Sequence, residues 1–262
     1  MSDQELNSAA FAGDEGRVSE LLAVEGINVN YKGSSGWSPL HIAAANDYPP
    51  IIRLLHQAGA ELEIRTNNDL TPLHIAGAKG RQECVALLLL LGAKIDSLDV
   101  YSETPLHRAS RGGETDTVKM LMDCGADTEM RNSDGKTSCD VARKEEIKSL
   151  FEEFIQKDGL ENKSQLMKNA IDAEKWDVAT ILALKGASED TEIFKDLLIS
   201  ATNSENINVD CILALLAKIE GGLSNIDNEI KRKLLSSAVQ SKNSVAVQTL
   251  SAANVDENSN FQ

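Results

Sequence analysis

Residues 38–43 read SPLHIA, residues 71–76 read TPLHIA and residues 104–109 read TPLHRA. His41, His74 and His107 therefore recur at a constant interval of 33, and Pro39, Pro72 and Pro105 keep the same interval. So do Ser38, Thr71, Thr104 and Thr137. Twenty-one positions after the first three of these stand Gly59, Gly92 and Gly125, each followed by alanine. Reading backwards, Gly26 precedes Gly59 by 33, Ala10 precedes Ala43 by 33, and Leu21-Leu22 precede Leu54-Leu55 by 33. A fixed period kept by several residue types at once signals a stacked array of one supersecondary unit.

Each residue type has a physical job in that unit. The Ser or Thr oxygen caps orphan amides at a helix start, and proline suits the first helical turn. A short apolar helix follows (LHIAAAN, LHIAGAK, LHRASRG), then a turn and a second helix, clearest as CVALLLLLG and TVKMLMDCG. The glycines stand where a left-handed C-terminal cap belongs. The alternating stretches ELEIR, KIDSLD and DTEMR suit a short extended hairpin leading into the next cap. One such unit cannot bury its apolar face alone, so neighbours must stack.

The pattern T-P-L-H-x-A at period 33, with the Gly-Ala pair and a hairpin, resembles the ankyrin repeat. The match is strong over 26–142. Residues 1–25 keep the helix pattern without TPLH, as suits an N-terminal capping repeat. In the fourth copy, TSCDVA at 137–142, Cys139 and Asp140 replace Leu and His. Its second helix, EEIKSLFEEFI, arrives four positions early, which shortens the turn between its helices. The resemblance implies an all-α ankyrin-repeat solenoid over 1–157. Past residue 158 the period blurs; three degenerate helix pairs over 158–252 bring the expected total to about seven, and 253–262 read as a frayed tail. The competing reading is a separate helical bundle joined near 157–163.

Composition narrows the function classes. Aromatics make up only 4% of 262 residues, which suits closely packed Ala, Leu, Ile and Val helices. Net charge is −15, with 16 basic and 26 acidic residues in 1–158 and the remaining 10 and 15 beyond. Such a field repels phosphate backbones and anionic lipid, so neither nucleic acid nor membrane is expected as a partner. A basic protein surface is the natural complement to that charge. The four cysteines show no CxxC spacing; each lies among apolar residues in a region read as helix, so reduced, buried thiols are expected. The opening stretch MSDQELNSAAFAGDEG is polar and acidic, without a leader pattern. A cytoplasmic location, with nuclear access open, and a monomeric state follow as expectations.

No catalytic or cofactor motif stands out. In a solenoid the histidines lie one per rung, about 10 Å apart, whereas zinc needs ligands about 2 Å from one point. The resemblance gives each imidazole an architectural bond across the cap to the adjoining hairpin. His56 reads as a partly exposed second-helix residue. No Gly-rich phosphate loop or nucleophile elbow occurs, and no histidine follows His107. The chain is expected to be non-enzymatic, with no cofactor and no metal.

What remains is surface. The resemblance implies binding through hairpin tips and the exposed side of the first helices. By position these are Trp37 and Asn46, with Lys32, Ser34 and Ser35; then Arg65, Asn67, Leu70 and Lys79, with Asn68. The third repeat gives Val100, Tyr101, Glu103 and Arg111, with Leu98, and the fourth gives Lys136, with Ser133, Asp134 and Lys144. Trp37, Leu70, Val100 and Tyr101 put apolar side chains on an otherwise polar edge, as a binding hot spot does; packing onto the neighbouring tip is the alternative. Asp69 and Ser102 stand where other hairpins have Gly36 and Gly135, so the central hairpins are expected to turn differently. Asn30 holds the hairpin position that asparaginyl hydroxylases modify in some ankyrin proteins; the simpler reading is an Asn bonded within its own turn. The expected function is recognition of a folded protein, as an adaptor, inhibitor or assembly chaperone. The alternative is a two-part protein whose ankyrin half targets a C-terminal helical effector.

Overall fold

The computed structural model describes residues 3–158, 176–182 and the single positions 232 and 236. The chain divides into two units, 1–161 and 162–262. In the first, helices come in pairs: α1 (Asp3–Ala12) with α2 (Glu15–Leu22), α3 (Pro39–Asn46) with α4 (Pro49–Gln57), α5 (Pro72–Ala78) with α6 (Gln82–Leu90), and α7 (Pro105–Gly112) with α8 (Thr115–Asp123). Helix α9 (Glu145–Asp158) follows. First helices contact one another along the array, α1 to α3 to α5 to α7, and second helices do likewise from α2 to α9. This is an all-α ankyrin-type stack.

Three local devices build each rung. Ser38, Thr71 and Thr104 cap α3, α5 and α7 in reciprocal boxes with His41, His74 and His107, ahead of prolines in the first turn. After each second helix, Gly26, Gly59, Gly92 and Gly125 take φ of 83°, 89°, 103° and 81°, the left-handed cap. Between rungs, leucine columns close the core: Leu40, Leu73 and Leu106 on the inner side, and Leu55, Leu88 and Leu121 on the outer, none more than 1% exposed. Each such burial contributes about 1.5–3 kcal/mol. The rungs approach closely because small residues face each other. A Cβ on Gly77 would lie 3.1 Å from the Pro105 carbonyl oxygen.

The hairpins are built from turns, not from an extended ladder. In the first three, a first turn (Asn28–Tyr31, Glu61–Ile64, Lys94–Ser97) leads into a second, which the fourth also has. The second is closed by Gly36, Asp69, Ser102 and Gly135 amides donating to the carbonyls of Gly33, Thr66, Asp99 and Asn132. All four repeats therefore share one turn, and the expected divergence of the central two does not occur. Asp69 and Ser102 adopt φ of 56° and 55°, against 76° and 73° for Gly36 and Gly135. The reason is a side-chain acceptor at the turn's first position. Thr66 Oγ1 accepts from the Asn68 and Leu70 amides, and Asp99 Oδ1 from those of Tyr101 and Glu103. Asn132 Oδ1 does the same for Asp134 and Lys136. Holding a serine left-handed costs free energy, so Ser102→Gly should stabilise the chain by about 0.5–1 kcal/mol. A rise of a few degrees in Tm checks this, and a fall would show that the Ser102 side chain carries more than strain.

The fourth repeat departs further than its sequence indicates. Its second helix does arrive early: α9 starts at Glu145, 30 positions after the Thr115 start of α8, where α4, α6 and α8 keep 33, and it buries Ile147 and Phe151. The first helix, however, shrinks to single turns at Thr137–Val141 and Cys139–Ala142. Asp140 repeats the reciprocal cap, accepting from the Thr137 amide and donating its own to Thr137 Oγ1, but it has no imidazole to reach onward. Its carboxyl is held below the usual range by that backbone bond and by the Thr137 side chain. Cys139 lies in this turn and is half-buried, unlike the buried Cys84 and Cys124; Cys211 lies outside the described residues. In the second unit, α10 (Trp176–Leu182) buries Val178–Leu182. The other degenerate repeats and the tail fall outside the described residues.

Candidate protein interface

The histidines link rungs. Nδ1 of His41, His74 and His107 accepts from the backbone amides of Ser38, Thr71 and Thr104 at 3.2, 3.2 and 3.3 Å. That fixes the proton on Nε2, which donates to the carbonyls of Leu70, Glu103 and Lys136 at 2.9, 2.9 and 3.0 Å. Each imidazole thus fastens its cap to the hairpin of the next rung. Burial is the first cause lowering all three pKa values, and His41 is pushed down to about 4. Among the described residues no group of three or more His, Cys, Asp or Glu could hold a metal.

A second row of staples runs along the first turns. Asn30 Oδ1 accepts from the Glu61 amide, Glu63 Oε1 from that of Lys94, and Asp96 Oδ1 from that of Asp127, at 3.0, 2.8 and 3.1 Å. The Asn30 side chain therefore bonds to the next rung, while its amide donates to Asn28 Oδ1 within its own turn.

The tips themselves form a bonded row. Asn67 Nδ2 donates to the Ser34 carbonyl at 3.1 Å, the Val100 amide to that of Asn68 at 3.3 Å, and the Ser133 amide to that of Tyr101 at 2.9 Å. The first junction is tight: a Cβ on Gly36 would sit 2.6 Å from the Asn67 amide nitrogen. Arg65 lies along the row, its Nη1 donating to Asp69 and Leu98 carbonyls at 3.2 and 2.6 Å. At the middle of the row Leu98, Val100 and Tyr101 are 38%, 53% and 57% exposed. These side chains stand in solvent although the backbone beneath them is bonded.

The remaining expected residues divide between rim and wall. Lys79 and Lys136 are exposed on the rim, and Asn46 is half-buried in the last turn of α3. Leu70 is half-buried. Trp37 is half-buried too, its ring centroid 6.2 Å from that of His41 and its carbonyl accepting from Asn7 Nδ2. With Tyr31 and Phe11 it lines a groove of about 510 Å³ at the N-terminal edge. Glu103 is only 3% exposed: Oε2 pairs with Arg108 Nε at 3.0 Å, and Oε1 with Arg111 and with Asn132 Nδ2. Arg108 also pairs with the buried Asp99, and its guanidinium lies 5.8 Å from the Tyr101 ring centroid. Arg108 lies outside the set expected from position in the repeat. Its signal in the sequence is a cation at the x of T-P-L-H-x-A, where Ile42 and Ile75 stand in the other copies.

Comparison with known proteins agrees with this geometry. The family model described as ankyrin repeats in three copies matches residues 6–99, and the one described as a single ankyrin repeat matches 101–133. No curated protein matches the chain. Repeats of this kind form a non-enzymatic fold for protein–protein interaction, and their surface binds folded partners. No helix among the described residues is long and apolar enough to cross a membrane.

Proposed function

We propose, from the premise that this chain carries ankyrin repeats over 6–99 and 101–133, that it is an adaptor, inhibitor or assembly chaperone. It grips a folded protein through its hairpin tips and the exposed edge of its first helices. The observation that carries the reading is the exposure of Val100 and Tyr101, 53% and 57%, on a tip whose backbone is locked before any partner arrives. A pre-ordered tip loses little entropy on docking, and an exposed aromatic beside a guanidinium is a typical anchor. Lys79, Arg65, Asn67 and Lys136 supply a polar rim around that anchor; Trp37, Leu70 and Glu103 support the tips from below. A monomer in a reducing, cytoplasmic setting is part of the proposal, supported by free Cys84, Cys124 and Cys139.

The test is the double variant Val100→Ala with Tyr101→Ala in the full chain, assayed by affinity capture from lysate and by thermal melting. Partner capture should fall at least about tenfold while Tm moves by no more than a few degrees. Unchanged capture would remove the middle tip from the interface. A collapse of Tm would show that these side chains are structural.

A further inference from the structure

The whole chain carries −15, yet the row of tips does not share that sign. Within the tip segments 32–37, 65–70, 98–103 and 131–136 stand four cations, Lys32, Arg65, Arg131 and Lys136, and four anions, Asp69, Asp99, Glu103 and Asp134. The Asp99 and Glu103 side chains are 0% and 4% exposed and are neutralised from α7 by Arg108 and Arg111. What reaches solvent along the row is Lys32, Arg131 and Lys136, with Arg65 half-buried, against Asp69 and Asp134. The acidic surplus lies elsewhere, on second helices and first turns such as Glu15, Glu20, Glu83, Asp116, Glu145, Glu146, Asp127 and Glu129.

Two of those cations are built alike. Arg65 and Arg131 occupy the same position two repeats apart, with Leu98 between them. Each spends Nη1 on the carbonyl four positions on, Asp69 or Gly135, at 3.2 and 2.8 Å, and Arg65 Nη1 also donates to the Leu98 carbonyl at 2.6 Å. A neutral carbonyl orients a guanidinium without cancelling its charge. Among the described residues neither one forms a salt bridge with a carboxylate, although the Arg131 charge is felt by the exposed Asp140 carboxyl. Between them rises the apolar patch of Leu98, Val100 and Tyr101. The order along the row is therefore cation, apolar, cation.

We propose that this row recognises an acidic segment of a partner protein: a carboxylate for Arg65, an apolar side chain for the Leu98–Tyr101 patch and a second carboxylate for Arg131. This rests on the tip-binding reading above and names the chemistry of its partner. Guanidinium and carboxylate match as a bidentate pair, and an apolar patch between them excludes water. Packed rungs lie about 10 Å apart, so the two guanidiniums stand about 20 Å from each other, the reach of about six extended residues. The chain's wider negative field does not cancel this attraction at contact, because charges more than about 8 Å away are largely screened at physiological salt. That field does oppose a long polyanion, which also meets the acidic outer helices.

The test uses a displayed library of random ten-residue peptides, selected on the full chain and followed by fluorescence anisotropy of the recovered peptides. The expected result is enrichment of Asp and Glu flanking an apolar residue. Their Kd should rise at least about tenfold with Arg65→Ala plus Arg131→Ala, recover largely with Arg65→Lys plus Arg131→Lys, and weaken as salt is raised. Recovery of basic or neutral peptides that are lost with Tyr101→Ala but indifferent to the arginine variants would overturn the acidic partner and leave the tip reading standing. Peptides indifferent to Tyr101→Ala as well, or none recovered at all, would overturn both. Tighter binding of a labelled single-stranded oligonucleotide than of any recovered peptide would also overturn the proposal, replacing the carboxylate with phosphate. Melting curves of each arginine variant, expected to match the parent within a few degrees, separate lost contact from lost fold.

Discussion

Lowering the pH from 7.5 to 5.0 should bring the urea midpoint down steeply, well before any carboxylate titrates. Each cap histidine is neutral in the stack because its Nδ1 faces a backbone N–H donor, at 3.2 Å for His41. A second proton on that nitrogen would set donor against donor, and burial adds the cost of charging the ring. The folded pKa values are thus lowered from the ordinary 6.5, to about 4 for His41. The sign follows from linkage. Between the folded and unfolded values the unfolded chain binds the proton and the folded chain does not, so stability is whole above pH 6.5 and falls as pH drops below it. A histidine held neutral contributes a slope of up to about 1.4 kcal/mol per pH unit, and burial lowers His74, His107 and the half-buried His56 in the same direction as His41. His41 alone accounts for a loss of about 2 kcal/mol at about pH 5. Replacing one of the three cap histidines, as in His107→Gln, should flatten the slope even though it lowers stability at neutral pH. A midpoint that holds steady between pH 7.5 and 5.0 would mean that these rings are not locked as neutral acceptors.

The parts of this fold that can be read from the chain are those whose physics is local. Thr71, Pro72 and His74 sit within one helical turn, so their cap follows from their spacing; the Gly92 cap follows from one residue's freedom of φ. The turn at Asp69 and Ser102 is harder to read. What holds it left-handed is an acceptor three positions back, Thr66 or Asp99, together with a tip that belongs to the neighbouring repeat. The Asn30 side chain misleads for the same reason, since its partner is the amide of Glu61. Glu103 and Arg108 look like ordinary solvated charges in one dimension. Only folding the tip over α7 shows that they bury each other, which takes Glu103 off the rim and leaves Tyr101 and Arg65 on it. The loss of the first helix at 137–142 reflects missing devices: with no proline in the first turn and no imidazole to bridge rungs, the cap alone cannot nucleate it.

Asp99→Ala should destabilise the chain by about 3–5 kcal/mol, while Asp99→Asn should cost only about 1. Two separate bonds meet at this buried side chain. Oδ1 accepts from the amides of Tyr101 and Glu103 at 2.8 and 3.0 Å, and Oδ2 accepts from Arg108 Nε at 2.7 Å. Alanine removes both, orphaning two amides at about 1–3 kcal/mol each and leaving Arg108 to Glu103 alone. Asparagine keeps the Oδ1 acceptor for the two amides and gives up the charge and the Oδ2 acceptor of Arg108. The chain supplies its own precedent, because Asn132 holds the same position one repeat later and bonds Asp134 and Lys136 in the same way at 3.0 Å. The carboxylate at 99 is therefore required by Arg108, not by the turn. Chemical denaturation of the two variants separates the contributions; equal losses for Ala and Asn would make the ion pair dominant and the turn bonds minor. Binding should follow the turn and not the charge. With Asp99→Ala the segment bearing Val100 and Tyr101 loses its anchor and must be ordered again on docking, so partner affinity should fall at temperatures where the stack is still folded. With Asp99→Asn that affinity should stay within about twofold of the parent, because the tip reaches its partner already formed.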